Sequence, residues 1–450
     1  MSILTVSLKK IKSVNLNQLR SHLVRNMVGT FGLRVVSIGL SFVTSIALAR
    51  LVGAADYGVY VYAMTWITLF SVVAALGLDK LLVRNIAAYQ ATASWSLMRG
   101  FLRWANWVVF AVAICMTAGS LIAVSQFFPD LDGVTRATLL VSFLMLPLWA
   151  FARLWQSAVR GFGWIVRGQL AEFLIRPLSF VVLIVGVYWG WHRALTGPLA
   201  MALQVTASAV GLLLALWFLR KVLPGSVATA VSEYQPMIWL ASAMPLLLSN
   251  ALEVANTRAD ILLLGSIQGA EAVAIYNVAK RLAELVTFVL TAVNMSIGPR
   301  IAALYAVGDM ATLQKLITKS AAIILGGSLL LAVGLLLVGP WTLLLWGMDF
   351  AGGYTTLAIL VVGQIVNAAM GPVALLLIMT RYERDVVWGT GIGLVINVGL
   401  NLLLIPRWST VGTAVATLVA TAIWNTLLVV FAFKRLGIYT LAYVPERLRK

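Results

Sequence analysis

Long apolar stretches separated by short polar gaps run through the chain from residue 27 onward. A helix that crosses the hydrocarbon of a bilayer needs about 20 predominantly apolar residues, and each stretch is close to that length. The pattern therefore predicts an all-α polytopic membrane protein with about twelve transmembrane helices. The predicted spans are residues 27–50, 58–78, 104–125, 137–156, 170–190, 198–219, 237–260, 272–297, 319–345, 355–379, 386–405 and 411–433.

A polar gap divides these spans into two sets of six. The gap covers residues 220–236 and is predicted to be a cytoplasmic linker between two lobes, 27–219 and 237–433, with an N-terminal segment (1–26) and a C-terminal tail (434–450). Because each lobe has an even number of helices, both have the same orientation. The two lobes are therefore expected to be related by a pseudo-two-fold axis along the membrane normal.

Composition agrees with this class of protein and excludes several chemistries. Hydrophobic residues make up 61% of the chain and charged residues 11%, whereas a soluble domain is about 25% charged. One cysteine and two histidines leave no basis for a disulfide or a histidine-based metal site. Neither a phosphate-binding GxxxxGK[ST] motif nor an HExxH motif is present. We therefore predict no cofactor and no metal, and any transport is expected to use a proton or sodium gradient or the substrate's own downhill flow. The tryptophans fall mostly near predicted span ends, which indicates an interfacial belt.

The net charge of +18 is explained by the distribution of the basic residues. Of the 33 lysines and arginines, 25 fall on the side of the two termini and five on the opposite side. Arg176 is counted here with the terminal side. Arg258 is counted with the opposite side, where it is expected to form a local salt bridge with Asp260 at the exterior rim. Because basic residues accumulate in cytoplasmic loops, both termini are predicted to be cytoplasmic, and nucleic-acid binding is excluded.

The two halves open with similar motifs. Residues 47–60 read ALARLVGAADYGVY, so that a glycine turn precedes Tyr57. In the second half, residues 260–265 read DILLLG, and residues 269–282 continue as GAEAVAIYNVAKRL. These stretches resemble the Wzx-type polysaccharide (O-antigen) transporters of the multidrug/oligosaccharidyl-lipid/polysaccharide (MOP) exporter superfamily, whose fold is that of the MATE transporters.

The resemblance implies a function that the hydrophobic pattern does not give. It implies that the chain lies in the bacterial inner membrane and flips an undecaprenyl-diphosphate-linked oligosaccharide from the cytoplasmic to the periplasmic leaflet. Partners would be that lipid-linked substrate, membrane lipid, and polysaccharide polymerase or assembly proteins. The closest alternative is a multidrug or cation antiporter of the same superfamily. A lipid II flippase is less favoured because those relatives have fourteen helices, and a membrane glycan polymerase or ligase usually needs a large exterior loop.

The first span carries a charge at bilayer depth, where charged side chains are costly and usually functional or paired. Arg34 shares a helix face with Ser37 and Ser41, at steps of three and four residues. One interpretation is an arginine that reaches back to the interface. The aligned hydroxyl groups favour the other, a cavity-facing Arg34 that holds a diphosphate through a bidentate contact.

The seventh and eighth spans carry polar side chains along their whole length. Lys280 and Arg281 are predicted to attract the diphosphate or acidic sugars, and antiparallel packing is expected to bring Glu253 to the depth of Lys280. The alternative is a structural ion-pair network in which Lys280 pairs with Glu284. The predicted substrate-binding residues are Arg34, Ser37, Ser41, Asn277, Lys280 and Arg281, and the predicted ion-coupling residues are Glu253, Asp260 and Glu284.

Overall fold

A computed structural model of the chain describes residues 16–442, except for residues 128, 130 and 192–194. The predictions for residues 1–15 of the N-terminal segment and 443–450 of the tail lie outside these residues. The described residues form helices and turns and contain no strand, so the predicted all-α fold class is confirmed.

The helices of the first half contain the predicted apolar stretches, and large apolar side chains remain exposed on them, as expected for surfaces that face lipid. Between α6 and α7 the helical path continues through a single π-helical turn, Ala171–Ile175. The helices are α1 Leu16–Ala75, α2 Leu78–Ala91, α3 Trp95–Phe127, α4 Gly133–Phe143, α5 Met145–Gly161, α6 Ile165–Leu170, α7 Arg176–Trp191 and α8 Gly197–Val222.

The linker contains the short helix α9, and seven helices follow it within the described residues, of which α15 is short. Short 3₁₀ turns at Leu285–Thr287 and Met348–Gly353 join α11 to α12 and precede α14. The helices are α9 Gly225–Thr229, α10 Pro236–Gln268, α11 Ala270–Glu284, α12 Phe288–Ala306, α13 Met310–Leu343, α14 Tyr354–Ala369, α15 Val373–Met379 and α16 Glu383–Leu436.

Ten helical runs among the described residues are long and apolar enough to cross a membrane. Two of them are much longer than a bilayer needs, and each contains one residue with non-helical backbone angles. These residues are Gly53 in α1 (φ 80°, ψ 171°) and Ser409 in α16 (φ 48°, ψ −124°). Dividing both runs at these breaks gives twelve segments, which is the number that the hydrophobic pattern predicts.

The motif shared by the two halves has the same backbone geometry in both. Gly269, between α10 and α11, has φ 85° and ψ −174°, nearly the values of Gly53. In each half a tyrosine, Tyr60 or Tyr276, follows seven residues later. Positive φ at this angle favours glycine because a Cβ atom would be strained there. The weak sequence repeat therefore corresponds to a repeated turn.

Two local features differ from the prediction. Residues 78–91, expected as a polar connection, form the amphipathic helix α2, which packs Leu81, Leu82 and Ile86 into the core of the first half. The predicted tenth span, 355–379, breaks into α14 and α15. Gly371 has a positive φ of 69° and lies against the backbone of Thr440, which ends the helix there.

Side chains also fix helix ends in the loops. Asp132 and Asp309 cap α4 and α13 by accepting hydrogen bonds from the amides of Thr135 (2.9 Å) and Thr312 (3.0 Å). The backbone hydrogen bond from Thr312 lowers the pKa of the exposed Asp309 carboxyl below its ordinary value. Such caps satisfy amides that have no partner within the helix.

Contacts between the halves close one end of the molecule, which we call the Gly53 end. There Arg50 donates hydrogen bonds to the backbone carbonyls of Leu345 (2.7 Å) and Leu344 (3.3 Å) at the end of α13. Gly58 lies so close to Ala270 that a Cβ atom added to it would be 1.8 Å from the Ala270 carbonyl oxygen. The two halves are therefore in direct backbone contact at this end.

Candidate functional site

A cavity between the two halves is lined by α1, α10, α11 and the start of α12, and we call it the cationic cavity. It encloses about 560 Å³ and begins at Arg34 on α1. Its lining includes seven of the nine residues that the sequence predicted as a site: Arg34, Ser37, Ser41, Asn277, Lys280, Arg281 and Glu284. The residues that helical spacing places on one face of α1 and one face of α11 thus line the same cavity.

Hydrogen bonds across this cavity join the two halves. Arg281 on α11 donates to the hydroxyl of Ser41 on α1 (2.9 Å) and to its backbone carbonyl (3.3 Å). Asn277, only 4% exposed, donates to the Tyr57 hydroxyl (3.1 Å), which shares a hydrogen bond with Ser45 (2.5 Å). Arg281 therefore combines a structural contact with a guanidinium that faces the cavity.

Lys280 has a different partner from the one expected. Its ammonium lies 2.6 Å from the Asp260 carboxylate and 2.8 Å from the Thr257 carbonyl, so it pairs with neither Glu253 nor Glu284. Asp260 is 2% exposed and also accepts a hydrogen bond from the Tyr276 hydroxyl (2.6 Å). The expected salt bridge between Arg258 and Asp260 at the exterior rim is wrong, because Asp260 turns toward α11.

Glu253 lies apart from the other predicted site residues. It is exposed in a third cavity of about 480 Å³, which lies within the second half and is lined by α10, α15 and α16. Asn256, Thr390 and Asn397 share this lining. The expectation that Glu253 meets Lys280 fails because Lys280 points to Thr257 and Asp260, at least one helical turn farther along α10.

Two arginines that the sequence assigned to opposite faces of the membrane line the cavities instead. Arg258 was expected at the exterior because the seventh span was predicted to end at residue 260, but α10 continues to Gln268. Arg176 was counted with the cytoplasmic side because its span was predicted to begin at residue 170, but the helical run begins at Ile165, about 16 Å before Arg176 along the axis. Both errors arise from helix ends that hydropathy places too early or too late.

A smaller cavity continues from the cationic cavity toward the Gly53 end, and we call it the aromatic cavity. It encloses about 290 Å³, and five aromatic side chains line it together with polar groups of α1, α7 and α8. The residues that line both cavities are Ser37, Ser41, Arg258, Asn277 and Arg281. The aromatic residues are Tyr57, Tyr60, Trp149, Phe173 and Phe180.

The two cavities carry an excess of positive charge. Two carboxylates, Glu172 and Glu284, line them. A third carboxylate, Asp260, is not part of either lining and neutralises the charge of Lys280. Such a surface attracts an anion, and a guanidinium binds phosphate oxygens in bidentate fashion. The cationic residues that line the two cavities are Arg34, Arg176, Arg258, Lys280 and Arg281.

Solved structures with the same fold are membrane transporters. The fold matches a multidrug resistance transporter of the MATE family and MOP superfamily in an inward-facing conformation, with a TM-score of 0.74 and 13% identity over 89% of this chain and 94% of that chain. It also matches the lipid II flippase MurJ in an inward closed conformation, with a TM-score of 0.71 and 12% identity over 91% and 87% of the two chains. A MATE family transporter in an outward-facing conformation gives a TM-score of 0.65 and 14% identity over 92% and 95%.

Family models identify the sequence more directly than these distant structures, which show the fold alone. The model of the polysaccharide biosynthesis protein family matches residues 23–305, and the MatE model matches residues 245–403. No curated protein matches the chain. Because the first match covers more than half of the sequence, the protein belongs to the polysaccharide biosynthesis protein family, and its fold is the one seen in the solved MATE and MurJ structures.

Proposed function

We propose that the protein flips an undecaprenyl-diphosphate-linked oligosaccharide from the cytoplasmic to the periplasmic leaflet by alternating access. The observation that carries this proposal is the positive charge of the two cavities between the halves. A diphosphate cannot cross the hydrocarbon unaided, because a buried unpaired charge is very costly. Arginines in a hydrated cavity replace the lost water with charge-assisted hydrogen bonds, while the lipid tail remains in the bilayer.

The same charge argues against an exporter of organic cations. Such a substrate needs carboxylates to balance its charge, but five cations and only two carboxylates line these cavities. Asp260 cannot supply the missing acid while it is bound to Lys280. The likeness to multidrug transporters therefore supports the fold and the transport mechanism, and the charge supports an anionic substrate.

The closed Gly53 end supports access to the cavities from the opposite end in this conformation. Arg50 and Gly58 hold the halves together there, while the cationic cavity begins at Arg34, near the opposite end of the same span. Given the cytoplasmic termini that the distribution of basic residues predicts, we assign this conformation to an inward-facing state that receives substrate from the cytoplasmic leaflet. Separation of the halves at the Gly53 end would then release the substrate to the periplasm.

Charge removal in the shared wall of the two cavities tests the proposal. In a deletion strain we expect undecaprenyl-linked oligosaccharides to accumulate and the surface polysaccharide to be lost. Wild-type protein should reverse both changes. The double variant Arg258→Gln, Arg281→Gln should restore less than about a tenth of the surface polysaccharide, because each lost charge-assisted hydrogen bond is worth about 1.5–3 kcal/mol. Quantitative lipid extraction and surface glycan analysis measure the two effects.

The matched control removes an arginine outside both cavities. Arg407 is exposed on α16, and Arg407→Gln should restore the polysaccharide fully. An unchanged glycan profile in the deletion strain would reject the flippase function. Full restoration by the double variant would reject the role of the cavity charge.

We also propose that transport is coupled to a proton or sodium ion through the carboxylates of the second half. Support comes from a row of contacts between the third cavity and the cationic cavity. Thr417 lines the third cavity with Glu253 and hydrogen bonds to the Tyr276 hydroxyl (3.1 Å), which donates to Asp260, the partner of Lys280. Ion binding near Glu253 can thus alter the groups that hold Lys280.

Replacement of Glu253 by glutamine tests this coupling. In proteoliposomes with an imposed proton or sodium gradient, Glu253→Gln should retain downhill flipping but lose the acceleration that the gradient gives wild-type protein. The exposed Glu271→Gln variant, at the start of α11, is the control and should respond normally. Normal acceleration in a folded Glu253→Gln protein would remove Glu253 from the coupling mechanism.

A further inference from the structure

We propose that the aromatic cavity is a saccharide subsite, which binds the uncharged sugar next to the diphosphate while the cationic cavity binds the diphosphate itself. This inference rests on the proposed function and divides its site into two parts of different chemistry. Four features of the aromatic cavity support it: a buried amide without a partner, a carboxylate and guanidinium on an irregular turn, fixed aromatic walls, and its position.

The buried amide belongs to Gln204 on α8. Gln204 is 6% exposed and lines the cavity, and its Oε1 atom has no hydrogen-bond donor among the described residues. A buried acceptor without a partner costs free energy unless a ligand or ordered water supplies a donor. A sugar hydroxyl is a suitable group, because it donates to the amide oxygen and also accepts from an amide nitrogen.

The carboxylate and guanidinium come from the π-helical turn at Ala171–Ile175. Glu172 and Phe173 lie within this turn and Arg176 follows it, and all three side chains line the cavity. Single π-helical turns inside helices are rare and occur frequently at functional sites. A carboxylate beside a guanidinium offers paired acceptors and donors, which suits neighbouring hydroxyl groups on a sugar ring.

The aromatic walls are held in place by contacts with one another and with neighbouring polar groups. Trp149 donates its indole N–H to Ser208 (3.0 Å), and the Arg176 guanidinium lies 4.5 Å from the centre of its ring. Tyr60 and Phe180 stack with their ring centroids 6.0 Å apart. Rigid aromatic side chains with a few placed polar groups are typical of small-molecule sites, and apolar C–H faces of a sugar pack on such rings.

Position connects the two subsites. Arg258 and Arg281 line both cavities, so a diphosphate held by them lies at the mouth of the aromatic cavity. The first sugar of a lipid-linked oligosaccharide is bonded directly to the diphosphate, and it would therefore enter the smaller cavity. At about 290 Å³ that cavity is at the lower end of the size range of ligand pockets and fits a short sugar segment.

The test compares two lipids that differ only in the presence of sugar. The probes are undecaprenyl diphosphate and the undecaprenyl-diphosphate-linked oligosaccharide extracted from a deletion strain, and binding to the purified full chain in nanodiscs is measured for each. Gln204→Met keeps the side-chain length but removes the amide. We expect about tenfold weaker binding of the sugar-bearing lipid, the effect of one net hydrogen bond, and unchanged binding of undecaprenyl diphosphate. Glu172→Gln should show the same selectivity.

Controls separate this inference from the proposed function and from misfolding. Gln90 is exposed on α2, and Gln90→Met should bind both lipids as wild-type protein does. Each variant is first compared with wild type by thermal melting, and Glu172→Gln decides the question if Gln204→Met does not fold. Equal losses for both lipids, or no loss for either, would overturn the saccharide subsite and leave the flippase function standing. Failure of wild-type protein to bind either lipid would overturn both.

Discussion

Asp260→Asn is expected to destabilise the protein by at least about 3 kcal/mol, because breaking a buried ion pair leaves an uncompensated charge behind. The Asp260 side chain is 3% exposed and that of Lys280 15% exposed, so the ammonium that remains has little access to water. The partial exposure of Lys280 to the cationic cavity places the effect at the lower end of the range for buried pairs. Thermal melting in detergent and denaturation in mixed micelles measure the loss.

A second substitution should recover most of this stability. In the double variant Asp260→Asn, Lys280→Met, no unpaired charge remains, and asparagine can still accept the hydrogen bond from Tyr276. Recovered stability without recovered flipping would assign Lys280 to substrate binding. Recovery of both would assign the pair to structure alone. A single Asp260→Asn variant as stable as wild-type protein would contradict the ion pair itself.

The sequence predicts the fold well because membrane helices follow a simple rule. Each needs one continuous apolar stretch, and its polar face is recognisable from the spacing of a few residues. Ser37 and Ser41 on one helix and Asn277 and Arg281 on another could therefore be assigned to inward faces before their contact was known. The turns at Gly53 and Gly269 were recognisable for the same reason, as glycines between two such stretches.

Hydropathy predicts helix ends poorly, and charged residues near those ends are therefore the ones assigned to the wrong place. Arg176 and Arg258 lie close to the ends of spans predicted to begin at 170 and to end at 260, and were therefore counted with the membrane faces, but the helices continue past both points. Tertiary contacts decide other cases. Trp346 was expected in an interfacial belt, yet it is 1% exposed and donates its indole N–H to Ser45 (2.9 Å).

The spacing of residues in the sequence also does not predict which partners the buried polar and charged groups have. Lys280 and Glu284 are four residues apart and make a plausible helical pair, but Asp260 on the preceding helix is the partner. The choice depends on how α10 and α11 pack after the turn at Gly269, which no local pattern encodes. Gln204 shows the same limit, since its missing hydrogen bond is visible only once the surrounding helices are in place.

Gly58→Ala is expected to prevent closure of the Gly53 end and to abolish flipping. The added Cβ atom would lie 1.8 Å from the Ala270 carbonyl oxygen, whereas ordinary contacts begin at 3.4 Å, so the backbones must separate by about 1.6 Å. Alanine is the better helix former by about 1 kcal/mol, so any loss reflects the steric contact and not the helix. We expect the equilibrium to shift away from the state closed at this end.

Spin labels on either side of the contact measure this shift. Ala55 and Glu271 are exposed and flank the contact, so the labels are attached at Ala55→Cys and Glu271→Cys. Cys115 is the single natural cysteine, and a Cys115→Ser background keeps the labels at these two sites. Pulsed electron paramagnetic resonance should give longer distances for Gly58→Ala than for wild type. Gly39→Ala is the matched control on the same helix, because nothing lies within 4 Å of the added atom. Identical distance distributions in Gly58→Ala and wild-type protein would show that close backbone contact is not what closes this end, and Arg50 would then remain as the group that holds it.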